Sequence, residues 1–398
     1  AVCLPSNLPM RQTDGQLESH TDNPADSLLT HRYVRIEKTL RGVSTDVTFH
    51  YVESTGGGRE CIVFLHGFMD TWKLWRYSLH ALAQTYRVVA FDLKGCGQSS
   101  MNYPQGLFPS IDDPGGNYQL SQQADEIVAA IHAIGIQRFN LVTLDLGTII
   151  GDLLAGRYGD RIIRYIRCQQ PLVGHFRSAI PQGQLLRRKR SAKWLTRLLE
   201  VDASSLLRVL YGKTGWPILD RHMKRTLHPM PDATLESAVG EASYTFQTGP
   251  RKGNPGTFLC AWAGLYQHNQ DYRQFIQRNL DAYQAYAFPI FVFQGKHDIA
   301  MPPERFDGTT GMAFKVTRSL KGDPTLLSRS FDKTGAGLGD GYQPWGDFIP
   351  GCQKPMPVEA FFPHSPSVTL VFFETGHFIP IENPELFTAH LAKALKTP

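Results

Sequence analysis

Short unbroken apolar runs, spaced by amphipathic stretches, constrain this chain more than any other feature. They are CIVFL at 61–65, RVVAFDL at 87–93, FNLVTL at 139–144, IIRYIRC at 162–168, FPIFVFQG at 288–295 and VTLVFF at 368–373. A strand with one wet face alternates apolar and polar residues, whereas a continuous run belongs to a strand covered on both faces. Between the runs, 72–85, 120–134 and 149–155 read as helices; Leu120, Ala124, Ile127, Val128, Ile131 and Ile134 fall at helical spacing. Strand–helix alternation of this kind predicts an α/β fold, with a mostly parallel central sheet and helices on both faces. Ahead of it, Val34, Ile36, Val47, Phe49 and Tyr51 alternate as in an opening hairpin that turns near Gly42. The chain closes on a helix over 384–395, capped by Asn383 with Pro384 in its first turn.

The strand rhythm stops between 172 and 285, a segment holding RRKR at 187–190, Trp194 and many aromatics. The reading is a sheet core over 31–171 and 286–398, interrupted by a helical lid lobe over 172–285 and preceded by a polar arm over 1–30. A second insertion, 303–366, is rich in Gly, Pro and Asp and too long for a plain connection, so a functional role is expected of it. RRKR reads as a solvated helix face.

Composition removes several classes of function. Apolar residues make up 42% and charged residues 19%, which suits a packed globular chain rather than a disordered one. The formal charge of +5 is too mild to suggest a nucleic-acid partner. No apolar run reaches the ~18 residues of a membrane span. The opening AVCLPSNLPMRQTDGQ lacks the charged-then-apolar pattern of a signal peptide. The six cysteines, Cys3, Cys61, Cys96, Cys168, Cys260 and Cys352, form no CxxC pair and no zinc-like cluster. No metal is expected, and free thiols in an intracellular, cytoplasmic setting are the better reading than disulfides. GCGQSS at 95–100 lacks the third glycine and the ribose-binding acid of a dinucleotide site, so no cofactor is expected.

Three polar residues follow apolar runs in the order Asp145, Asp298, His377. Ligands of open parallel sheets bind beyond the strand C-termini. Thr143-Leu144-Asp145-Leu146-Gly147 has the form small-x-nucleophile-x-Gly, entering a helix. A sharp strand-to-helix turn needs small flanking residues because its backbone is crowded. The helix that follows offers N–H groups to an anion. His66 reads as structural rather than catalytic.

Together with Leu65-His66-Gly67-Phe68 and Asp92-Leu93-Lys94-Gly95-Cys96-Gly97-Gln98-Ser99, these strings resemble the α/β-hydrolase superfamily. Within it they are similar to the branch with an aspartate nucleophile, which includes epoxide hydrolases and haloalkane dehalogenases. The resemblance covers about 33–170 and 285–398. It implies a triad of Asp145 as nucleophile, His377 as general base and Asp298 as its orienting acid, with the N–H groups of Phe68 and Leu146 as oxyanion hole. It also implies a leaving-group acid from the lobe; the string ending at Tyr266 is similar to the segment that supplies one such tyrosine. Tyr211 and Tyr244 remain open for a second, with Trp194 as the alternative occupant of the position where the family has it. Three positions depart from the family pattern: Met69 where it has proline, and Leu144 and Leu146 where it has His and Trp on either side of the nucleophile. That Trp helps to bind halide in dehalogenases.

A carboxylate at position 145 narrows the chemistry. A serine that attacked a saturated carbon would be trapped as an ether, whereas a carboxylate gives an ester that water can cleave. The expected substrate is a small apolar organic molecule with an sp3 electrophile, foremost an epoxide. Two alternatives stay open: a dehalogenase or biosynthetic enzyme of this fold, and a non-catalytic ligand-binding protein.

Overall fold

The computed structural model describes residues 10–12, 28–40, 42–54, 58, 60–67, 70–100, 119–169, 281–295, 327–328 and 361–398. Within them ten strands form one sheet: β1 (Met10–Gln12), β2 (Leu29–Leu40), β3 (Val43–Ser54), β4 (Cys61–Leu65), β5 (Arg87–Phe91), β6 (Phe139–Leu144), β7 (Ile162–Cys168), β8 (Ile290–Gly295), β9 (Leu327–Ser328) and β10 (Val368–Phe373). Their spatial order is β1-β2-β3-β5-β4-β6-β7-β8-β10-β9. The block from β5 to β10 is parallel. The hairpin edge and β9 run antiparallel. The hairpin pairs without slippage from Leu29↔Ser54 to Leu40↔Val43, and Gly42 turns it at φ 78°.

Continuous apolar strands are explained by what covers them. Val63, Leu65, Leu141, Ile290 and Phe372 pack on α2 (Leu120–Ala133) and α3 (Leu146–Arg157), together with Tyr283 and Tyr286. Their neighbours in sequence, Ile62, Phe64, Val142, Phe291 and Phe373, face Trp72, Trp75, α1 (Arg76–Leu82) and the C-terminal helix α5 (Pro384–Leu395). Between β10 and α5 lies one helical turn, α4 (Ile379–Glu382). Asn383 caps α5 as expected, its side chain accepting from Leu386 N–H at 3.2 Å.

Two elements begin differently from the sequence pattern. The stretch at 72–85 opens as a 3-10 turn over Trp72–Trp75 before α1. Helix α3 starts at Leu146, earlier than its apolar spacing suggested, because Asp145 turns the chain straight from strand into helix. The expected lid lobe over 172–285 lies outside the described residues except at 281–285, of which 281–284 are helical; of the expected 303–366 insertion only 327–328 and 361–366 are described. Cys61, Cys96 and Cys168 are buried free thiols. Among the described residues, no helix is long and apolar enough to cross a membrane.

From β4 the chain steps outward to β5, then returns to β6 on the other side of β4. That reversal places a crevice at the C-terminal ends of β4 and β6, where His66-Gly67 and Asp145 lie.

Candidate active site

Asp145 has φ 51° and ψ −118°, a backbone conformation that non-glycine residues adopt only at a cost of roughly 1–3 kcal/mol. Surrounding structure holds it there. Its N–H donates to Cys168 C=O of β7 at 3.2 Å, and its own C=O accepts from Thr148 and Ile149 N–H in the first turn of α3. The glycines around it are steric requirements. A Cβ at Gly147 would sit 2.3 Å from the His66 carbonyl oxygen and 2.5 Å from that of Leu65. At Gly67 it would meet the Asp145 Cβ at 2.8 Å. The elbow is therefore wedged against the end of β4.

His377 stands in the turn after β10, and its Nε2 lies 3.6 Å from Asp145 Oδ2. The side chains are 6% and 16% exposed respectively, so the pair is nearly closed off while the carboxylate keeps an open side. That separation is within the loose range in which catalytic contacts are found before substrate binds. Leu146 is buried at the first position of α3, where a backbone N–H has no partner within its own helix. Of the residues expected at the site, the structure brings together Asp145, His377 and Leu146; Asp298, Phe68 and Tyr266 lie outside the described residues, as do Met69, Trp194, Tyr211 and Tyr244.

His66 is a joint between loops. Its Nε2 accepts from Leu93 N–H at 2.9 Å, which leaves Nδ1 to donate to Gly67 C=O at 2.8 Å. Burial lowers its pKa, against smaller opposing pulls from Asp92, the Gly67 carbonyl and Asp145. The 94–99 loop has an equally local task. It folds over the buried Asp92, which accepts from Trp72 N–H, Gln98 N–H and His50 Nδ1. A Cβ at Gly97 would fall 2.1 Å from Asp92 Oδ2. Burial alone would raise the Asp92 pKa, but the charge and hydrogen bond of His50 hold it below the usual range.

Sequence reasoning missed several supports. Asp152 of α3 and Arg167 of β7 form a buried ion pair at 2.9 Å, completed by the Tyr165 and Tyr283 hydroxyls, both 2.9 Å from Asp152. Burial of Arg167 is outweighed by Asp152, and its pKa rises. This network ties the helix behind Asp145 to the sheet. Glu382 accepts from Gly376 N–H at 2.6 Å and Phe378 N–H at 2.7 Å, bracketing His377. Among the described residues, no group of His, Cys, Asp and Glu could hold a metal ion.

Comparison with known proteins agrees with this fold. Residues 60–307 match the model of the alpha/beta hydrolase fold family, over half of the chain, and the chain belongs to that family. Human epoxide hydrolase 4 is 31% identical over 140 residues, which cover 35% of this chain and 34% of that protein. Epoxide hydrolase 1 of Caenorhabditis elegans is 28% identical over 149 residues, covering 37% and 32% respectively. The match thus spans about a third of the length of these curated relatives. A thermophilic esterase from Thermogutta terrifontis superposes with TM-score 0.56 at 17% identity, over 92% of this chain and 98% of the other. The epoxide hydrolase VrEH1 of Vigna radiata gives 0.54 at 18%, over 93% and 98%. These two share the fold; the resemblance to epoxide hydrolases rests on the sequence matches.

Proposed function

We propose that this chain is an epoxide hydrolase that works through an ester on Asp145. The observation carrying the reading is a carboxylate at a strained elbow, φ 51°, with an imidazole Nε2 at 3.6 Å. Asp145 attacks one epoxide carbon, the C–O bond breaks, and Tyr266 gives its hydroxyl proton to the leaving oxygen. His377 then takes a proton from water while the oxygen of that water adds to the ester carbonyl. Phe68 and Leu146 N–H groups receive the developing oxyanion, and each such donor is worth about 3 kcal/mol of barrier. Collapse releases the diol and the Asp145 carboxylate, and the imidazolium proton returns to the Tyr266 oxygen. Asp298 holds the imidazole in its working tautomer. In this scheme 172–285 forms a lid over a small apolar substrate, 303–366 is an insertion within the core, and no cofactor or metal takes part. Buried free thiols suit a reducing, cytoplasmic setting.

The test is a single turnover of an aryl epoxide in 18O-water. An ester route places unlabelled Asp145 oxygen in the first diol and label in the diol of later turnovers. Asp145→Ala should lower kcat by roughly 10^4-fold or more. Label in the diol of the first turnover, or near-normal activity of Asp145→Ala, overturns the reading. Halide release from haloalkanes without epoxide turnover replaces it with dehalogenation.

A further inference from the structure

The dipeptide Cys168-Gln169, where β7 ends, touches the Asp145 elbow, the end of β8 and the turn that carries His377. The Cys168 carbonyl accepts from Asp145 N–H at 3.2 Å and from Thr148 Oγ1 at 3.1 Å. Gln169, fully buried, donates its carboxamide Nε2 to Gly376 C=O at 2.5 Å, one residue before His377. Its Oε1 accepts from Gly295 N–H at 3.0 Å, at the end of β8. Its backbone N–H donates to Phe293 C=O at 3.0 Å. Gly295 leaves room for this approach, since a Cβ there would lie 2.1 Å from the Gly376 carbonyl oxygen and 2.8 Å from Gln169 Nε2.

Gln169 also has φ 49°. That left-handed conformation suits Gly or Asn and disfavours a longer side chain. A residue chosen for the backbone alone would not be glutamine. What glutamine adds is reach: its carboxamide spans from β7 to the β8 end and to the loop carrying His377, where a side chain one methylene shorter falls short of both.

We propose that Gln169 is the positioning residue that sets His377 against Asp145. One carboxamide fixes the base loop to the same strand end that anchors the nucleophile, so the 3.6 Å separation is carried through Cys168-Gln169. This rests on the reading of Asp145 and His377 as nucleophile and base.

The decisive variant is Gln169→Asn, which relieves the backbone but cannot reach. Positioning predicts a Tm lowered by no more than the two lost hydrogen bonds cost, a kcat lower by about 10- to 100-fold with KM nearly constant, and a shifted pH limb. The His377 imidazole, followed by 15N NMR, should titrate at a different pH. Gln169→Glu preserves length and the acceptor to Gly295 but loses the donor to Gly376, and should show a similar fall in kcat. It serves if Gln169→Asn fails to fold. An unmoved kcat and imidazole titration in a folded variant overturns the proposal, as does loss of activity only in proportion to lost stability. If the wild type opens no epoxide, the functional reading fails, and the His377 titration still decides the placement of the ring.

Discussion

The two halves of the site are held by different forces. On the side of the proposed nucleophile, Asp145 is fixed by sterics: Gly147 is wedged under the Leu65 and His66 carbonyls, and α3 begins at the next residue. On the side of the proposed base, His377 lies in a turn whose flanking backbone groups are gripped by Glu382 and Gln169. Packing tolerates little adjustment, because interiors are as dense as organic crystals. Hydrogen bonds can be lost singly while the fold survives. Damage to the first half should therefore appear in stability, and damage to the second mainly in rate.

Gly147→Ala tests the packed half and should have the largest effect on stability. The added methyl collides with two backbone oxygens that cannot move without displacing β4. We expect a loss of about 2–3 kcal/mol in urea unfolding, with activity falling alongside. Wild-type stability in this variant would show that the elbow has slack and is not fixed by sterics.

Glu382→Ala tests the gripped half. It frees the N–H groups of Gly376 and Phe378, which now donate to the carboxylate. The expected cost is about 1–2 kcal/mol, because these donors are part-buried and water can replace some of what is lost. The kcat should fall more than that stability change would suggest, with KM nearly unchanged. An equal fall of kcat/KM and stability across both variants would erase the contrast between the halves.

What could be read beforehand follows the same division. Steric demands leave patterns at fixed offsets, so the strand runs, the Thr143–Gly147 turn and His377 after β10 were visible in the sequence. Gln169 was not, because its partners are backbone atoms 126 and 207 residues away, and a carboxamide that serves backbone groups leaves no complementary side chain to find. The Asp152–Arg167 pair did leave a signal. A cation inside a covered strand demands a buried acid, and Asp152 sits seven residues beyond Asp145, two turns along the same helix face. The expected lobe over 172–285 was marked by the loss of strand rhythm, which shows where a sheet stops and nothing further.

The smallest effect separates two histidines that both touch the site. His66 on the packed half is neutral by construction: its Nε2 faces the Leu93 N–H, so a second proton would set one donor against another. Burial lowers its pKa in the fold from 6.5. In the unfolded chain the ring takes its proton near that ordinary value, so below it the unfolded state binds more protons than the native state. The stability contributed by neutral His66 is present above pH 6.5 and drains away as pH falls through the depressed folded value. Urea unfolding of the wild type should show stability falling from pH 7.5 toward 5.5, and His66→Gln should show a shallower fall over the same window. His377→Gln should instead remove turnover. A His66→Gln slope equal to that of the wild type would mean that this ring accepts a proton in the fold, and the packed half would then be softer than its wedged glycines imply.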